Sequence, residues 1–270
     1  MSEKVEYYGL LDSPFDERDY TIKIKNTKFP NTFQLKMPPV KNQWMESTCV
    51  AFAGSSIVEY FFKKENDNYE TIFSTEYIYG LGHQEQEGDG MYLRSMLNIL
   101  LHNGDCIYPY CKGNNDWRAA AVHVNQLTQN AHSNAKQYCI TAYFRLNSIE
   151  EIKYALMNYG PVVISMTWNK KYKLQDGMYI PTSEEEDGRH AVVIYGWNEK
   201  GWLVQNSWGV FWGNKGRFQL PFDFKFHEAW GVSDNDENPE LKKPSKVTTC
   251  IRRITNSIAN LFSSLFRRKS

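Results

Sequence analysis

The apolar pattern of this chain changes near residue 135, from mainly helical to mainly strand-like, and that change restricts the folds open to it. Upstream, Ala53, Ile57, Val58, Phe61 and Phe62 recur at helical spacing behind Cys49 and predict a helix over residues 49–64. A second helix is predicted over residues 92–101, ending before Gly104. Downstream, a further helix over residues 150–159 is stopped by Gly160-Pro161. Short apolar runs at 162–165, 191–195, 202–205 and 216–220 then read as strands. Helices first and strands second argue an α+β protein of two lobes. The expected division is a crossing extension over 1–34, a helical lobe over 35–135, a β-rich lobe over 136–232, a polar linker over 233–245 and a tail over 246–270.

Chemistry-bearing residues fall on both sides of that change. Cys49 opens an apolar run behind the polar stretch 42–48, and Gln43 lies six residues before it. His190 stands between Arg189 and Ala191, and Asn206 follows it by sixteen residues within Gln205-Asn206-Ser207-Trp208-Gly209. A thiol, an imidazole, a side-chain amide and an upstream Gln are the parts that thiolate-based acyl transfer requires. A free cysteine, with a pKa of roughly 8.5, is mostly protonated at neutral pH. Ser47 and Thr48 are helix-capping types, which puts Cys49 in a first turn where unpaired N–H groups favour an anion. An imidazolium at His190 would pair with the thiolate and pass a proton to the leaving amine, and Asn206 is suited to hold the ring. Each residue alone has an ordinary reading: a buried thiol, a structural His at the head of a strand, a turn. The conjunction is more specific, because four positions agree in type, order and two spacings.

Together with Ile107-Tyr108-Pro109-Tyr110, Gly160-Pro161-Val162, Tyr195-Gly196-Trp197 and Trp208-Gly209-Val210-Phe211-Trp212-Gly213, this set resembles the papain-like, cathepsin-type cysteine proteases. The lead-in over residues 9–20 resembles that of propeptide-less microbial and viral relatives. The resemblance implies a papain-like two-lobe fold, a helical lobe and a β-barrel-like lobe with the active site in the cleft between them. It implies a cysteine-type peptidase that hydrolyses peptide bonds through a thioester acyl-enzyme on Cys49, with neither cofactor nor metal. Gln43 is then the oxyanion donor, acting with the backbone N–H of Cys49; such donors are each worth about 3–4 kcal/mol. Trp208 is expected to cover the Asn206–His190 hydrogen bond. Gly90 would offer backbone hydrogen bonds to substrate, and Met91, Ser165 and Ala191 would line the pocket for the residue two before the scissile bond. Met91 serves equally as packing, and Ser165 could instead face the lobe's own core.

The chain departs from the family around the nucleophile. Glu46 replaces a cysteine, Ser47 a glycine and Val50 a tryptophan, and Asp89 replaces the first of two glycines. None of these changes removes a catalytic group. About forty residues precede Gln43, too few for a long helical inhibitory propeptide, so activity must be limited by substrate access, timing or location.

Net charge is zero, which gives no argument for a nucleic-acid partner; protein or peptide is the substrate that the resemblance implies. Five cysteines, a polar amino terminus and no apolar run of membrane length favour an intracellular or virion-associated protein with reduced thiols. Cys106 and Cys111 are accordingly read as thiols and not as a bridge. The acidic run 184–187 could attract basic side chains, although a solvated loop is the simpler reading. In the tail, Val247, Ile251, Ile254, Ile258, Leu261 and Leu265 alternate four and three apart beside Arg252, Arg253, Arg267, Arg268 and Lys269. This basic amphipathic pattern suits an anionic membrane surface, a partner's groove, or docking back onto the enzyme. Two other functions remain open: an inactive papain-like scaffold recruited by this tail, and transfer of the acyl group to an amine instead of water.

Overall fold

The computed structural model describes residues 10–14, 16, 19–44, 46–67, 71–82, 90–111 and 127–234. Asp89, most of the polar linker and the basic tail over 246–270 lie outside the described residues. In chain order the elements are β1 (Leu10–Leu11), β2 (Phe33–Gln34), α1 (Cys49–Asn66), α2 (Thr75–Gly82), β3 (Met91–Tyr92), α3 (Leu93–His102), a 3₁₀ turn (Tyr108–Tyr110), α4 (Gln129–Ala135), β4 (Ala142–Arg145) and α5 (Ile149–Asn158). Then come β5 (Val162–Trp168), β6 (Tyr172–Gln175), β7 (Met178–Pro181), β8 (Gly188–Asn198), β9 (Gly201–Gln205), β10 (Arg217–Leu220) and β11 (Glu228–Ser233).

Helix α1 is the axis of the molecule. Every residue from Cys49 to Phe61 is buried, because the helix packs on α2 and α3 on one side and on β8 on the other. Lys63 and Lys64 complement the negative end of its dipole, and Asp67 closes it in the left-handed conformation at φ 48°. Within α1 the carboxylate of Glu59 is 1% exposed yet satisfied: it accepts the Phe73 N–H at 2.8 Å and pairs with Lys41 Nζ at 2.8 Å. A buried charge persists only with such partners. The pair ties the segment that leads into Gln43 to the helix that begins at Cys49.

The second lobe is a nine-stranded sheet in the order β4-β11-β5-β8-β9-β10-β7-β6, with β2 joined to β8. Its centre, β5 against β8, is buried on both faces. Val162, Ile164, Met166, Val192 and Ile194 face the lobe's own core, while Val163, Ala191 and Val193 belong to the cluster shared with α1. The sequence reading placed the core strands β5, β8, β9 and β10 but missed β2, β4, β6, β7 and β11. Strands β6 and β7 are half exposed and mix polar with apolar side chains, so their signal is weak. Their Asp176-Gly177 turn, at φ 52° and 83°, was the legible clue.

Gly196 is required by close approach. A Cβ at this position would lie 2.2 Å from the carbonyl oxygen of Phe33, where β2 crosses β8. Gly196→Ala is expected to cost about 2–3 kcal/mol by forcing β2 away. A urea titration checks this: the midpoint should fall with the slope unchanged, and an unaltered midpoint would contradict the argument. No helix among the described residues is long and apolar enough to cross a membrane.

Candidate active site

The four residues singled out by chemistry converge where α1 meets β8 and the loop after β9. Cys49 is the first residue of α1. Thr48 occupies the N-cap position, but its side chain makes no capping bond and its buried Oγ1 has no hydrogen-bond partner. The expected side-chain cap is therefore absent, and the N–H groups of Cys49, Val50 and Ala191 are the ones that favour a thiolate.

His190 lies on β8 opposite Met166, and its neighbour Ala191 lies opposite Ser165. Asn206 accepts from His190 Nε2 at 2.7 Å through Oδ1, the same oxygen that takes the Ser207 N–H at 2.8 Å. Because an amide oxygen only accepts, Nε2 carries the proton and Nδ1 is left as the base. Nδ1 is buried with no hydrogen-bond partner. Trp208 stacks on the ring at 4.8 Å and 25°, and Trp168 meets its edge at 5.5 Å. Both indoles thus pack against the ring that makes the His190–Asn206 bond; Trp168 carried no signal in the sequence.

Gln43 is held against the Asn206 loop by Gln43 N–H donating to Ser207 O at 2.7 Å and Gly209 N–H donating to Lys41 O at 2.9 Å. Its side-chain amide is engaged at both ends, with Nε2 donating to Glu46 O at 2.7 Å and Oε1 accepting from Ser207 Oγ. One Nε2 hydrogen remains for another acceptor.

Ser165, Ala191 and Glu228 sit side by side across β5, β8 and β11. Ser165 Oγ is buried without a partner, and it shares a face with Ala191, away from the lobe's own core. Met91 belongs to the same apolar cluster as Cys49 and Ala191. Gly90 directly precedes it at the start of β3. Sequence reasoning missed Glu228, whose carboxylate accepts from Ser13 N–H at 2.7 Å and Trp230 Nε1 at 2.8 Å. The acidic run is engaged locally, with Glu185 on Lys171 and Glu186 on Arg189.

The Ser13 contact belongs to a strap. Strand β1 pairs in parallel with β3 of the helical lobe, Leu10 opposite Met91, and packs on β8 of the other lobe. Asp12 pairs with Arg189 at 3.2 Å. Arg94 of α3 holds Asp19 through two bonds, Nε to Oδ1 at 3.1 Å and Nη2 to Oδ2 at 2.6 Å, and also donates to Pro14 O at 2.6 Å. With the strap in place Leu10, Cys49 and His190 are all 0% exposed. Burial pushes the Cys49 thiol up to about 12, and it pulls the His190 imidazolium down to about 4 against the favourable Asn206 bond. Both groups are therefore neutral at pH 7 in this closed arrangement, where the sequence led to an expected ion pair; without water, neither charge is solvated.

The sequence pattern described as "Papain family cysteine protease" matches residues 29–230, a span that contains all four residues and both lobes. The chain belongs to the papain family of cysteine proteases. Among curated family members it is similar to cathepsin B-like cysteine proteinase 4 of Caenorhabditis elegans, 31% identical over 124 residues that make up 43% of this chain and 37% of that protein. Cathepsin B-like cysteine proteinase 5 of the same organism is 37% identical over 90 residues, 32% of this chain and 26% of the relative. The chain thus spans well under half the length of these two curated relatives. Among solved papain-family structures, xylellain, a cysteine protease from Xylella fastidiosa, superposes with a TM-score of 0.72 at 22% identity, covering 84% of this chain and 96% of the other. The cysteine protease and lectin-like domains of Cwp84 from Clostridium difficile give 0.67 at 21% identity, covering 87% and 58%. At such identities the likeness establishes the papain fold alone.

Proposed function

We propose that this chain is a cysteine peptidase that cleaves peptide bonds through a thioester on Cys49. The observation that carries this reading is the His190 Nε2–H···Oδ1 Asn206 bond at 2.7 Å, which leaves Nδ1 unprotonated and available as a proton acceptor. When the cleft is open to water and substrate, Cys49 gives its proton to Nδ1 and the thiolate attacks the scissile carbonyl. His190 then delivers that proton to the leaving amine, and water, deprotonated by the same imidazole, releases the acyl group. The oxyanion is met by the Cys49 N–H and the remaining Nε2 hydrogen of Gln43. An extended peptide adds to the edge of β3 at Gly90 and Met91, a mode of recognition in which backbone bonds give affinity and alternate pockets give selectivity. Ser165 and Ala191 line one such pocket, and Trp208 bounds the far side.

The test is turnover of a fluorogenic peptide library, followed on wild type and on Gln43→Ala. Loss of one oxyanion donor is expected to lower kcat about 10²–10³-fold with KM little changed. Equal kcat in the two proteins would remove Gln43 from the mechanism. Complete burial of Cys49 and His190 favours a second reading, a chain that binds without cleaving; it predicts no turnover even after the strap is removed. The sequence of residues 246–270 further supports attachment to anionic membrane surfaces. Deleting them should abolish co-sedimentation with phosphatidylserine-containing liposomes, and undiminished binding would dismiss the idea.

A further inference from the structure

Cys106 and Cys111 are two thiols that the Cys49 site does not use. Both are buried, at 0% and 6% exposure, and both belong to a small cluster with Tyr77, Leu127, Ala131 and Ala135. Their backbones are clamped by one residue: Ser74 N–H donates to Cys106 O at 2.9 Å and Ser74 Oγ donates to Cys111 O at 2.8 Å. The intervening Tyr108–Tyr110 turn is closed by Tyr110 N–H to Ile107 O at 3.0 Å and Cys111 N–H to Tyr108 O at 3.2 Å. Ile107 is in turn fixed by its bridge to Phe73 and by Asn134 Oδ1, which accepts its N–H at 2.8 Å. The ends of the loop are thus held together before any bond joins them, and the two thiols are near enough to bias each other's ionisation.

We propose that Cys106 and Cys111 form a peroxide-reactive dithiol, a modification site distinct from Cys49, which oxidation converts to a disulfide across the Tyr108–Tyr110 turn. The two sulfurs are not equivalent. The neighbouring Cys106 thiol pulls Cys111 below its ordinary value, while the neighbouring Cys111 and burial push Cys106 well up. Cys111, which is also the less buried of the two at 6% against 0% exposure, is the attacking sulfur and Cys106 the resolving one. Tyr108 and Tyr110, at 39% and 50% exposure, place the turn at the surface, within reach of a small oxidant. In the first step the Cys111 thiolate displaces hydroxide from hydrogen peroxide, and with one proton taken up the products are a sulfenic acid and water. In the second, the Cys106 sulfur attacks the sulfenic sulfur; the S–S bond forms, the S–O bond breaks, and the Cys106 proton leaves with the hydroxyl as a second water. Each disulfide consumes one peroxide, which is reduced by two electrons as the dithiol is oxidised by two.

Both cysteines fall in one tryptic peptide, residues 95–112, so the outcome is read directly by mass. The full-length protein is treated with hydrogen peroxide, blocked with N-ethylmaleimide and digested. The expected result is a peptide that has lost two hydrogens and takes up no maleimide, restored to two adducts by dithiothreitol. Cys106→Ser should stop at a sulfenic acid on Cys111 that dimedone traps, and Cys111→Ser should leave Cys106 as a thiol. Two maleimide adducts with and without peroxide would overturn the proposal, as would over-oxidation of either sulfur without a bridge or a bridge to any other cysteine. Parallel treatment of Cys49→Ser should give the same bridged peptide; dependence on Cys49 would likewise count against an independent site.

Discussion

Replacing Cys49 with serine is expected to lower kcat/KM for peptide hydrolysis by about 10⁴-fold or more. The geometry gives the reason. His190 Nδ1 is an imidazole nitrogen with an ordinary basicity near 6.5, lowered here by burial to about 4. Such a base can share the proton of a thiol, which is far more acidic than an alcohol, but it cannot generate an alkoxide at the same position. His190→Ala should cost a similar factor, and the double variant should be scarcely worse than either single one, because thiol and imidazole act as a unit. Multiplicative losses would show instead that the two side chains act independently. A Cys49→Ser protein that kept a tenth of the activity would end the thioester mechanism.

The second large effect concerns the strap. Removing residues 1–19 is expected to raise the rate of Cys49 alkylation by iodoacetamide at pH 7 by about 10³-fold. Burial pushes the thiol from 9.0 up to about 12. If water reaches the sulfur and that rise is undone, the thiolate fraction grows by about three powers of ten. The three backbone N–H groups and His190 would act to carry it further. Point variants separate the anchors. Asp12–Arg189 is a half-exposed ion pair and should matter little. Asp19 is 10% exposed and gripped at both oxygens by Arg94, so Asp19→Asn should open the cleft more than Asp12→Asn. Far-ultraviolet circular dichroism confirms that each variant is folded. A folded truncation whose Cys49 reacts no faster would mean that the lobes themselves, and not the strap, exclude water.

Much of this site was legible in the sequence. The helical spacing behind Cys49 fixed the start of α1, and the run after His190 fixed a strand through the middle of the second lobe, because helix and strand periods are properties of neighbouring residues. The Asn206 turn and the aromatic residues after it were equally local. Glu228 was not legible: a single carboxylate in a half-polar run gives no periodic signal, and its burial makes sense only once Ser13 and Trp230 reach it. The protonation of the pair was not legible either. Residue types alone led to an expected thiolate and imidazolium, whereas the folded chain favours neutral forms.

The sequence by itself determined the α+β division, the papain-like quartet and the order in which its members occur, since those depend on residue type and short spacing. Only the tertiary structure decided that Leu10, with Ser13 and Asp19 beyond it, returns to lie between the lobes and that Cys106 and Cys111 are clamped by Ser74. Those contacts join segments that are distant along the chain, and what selects them is the free energy of closing a cleft around apolar side chains, which no local pattern encodes.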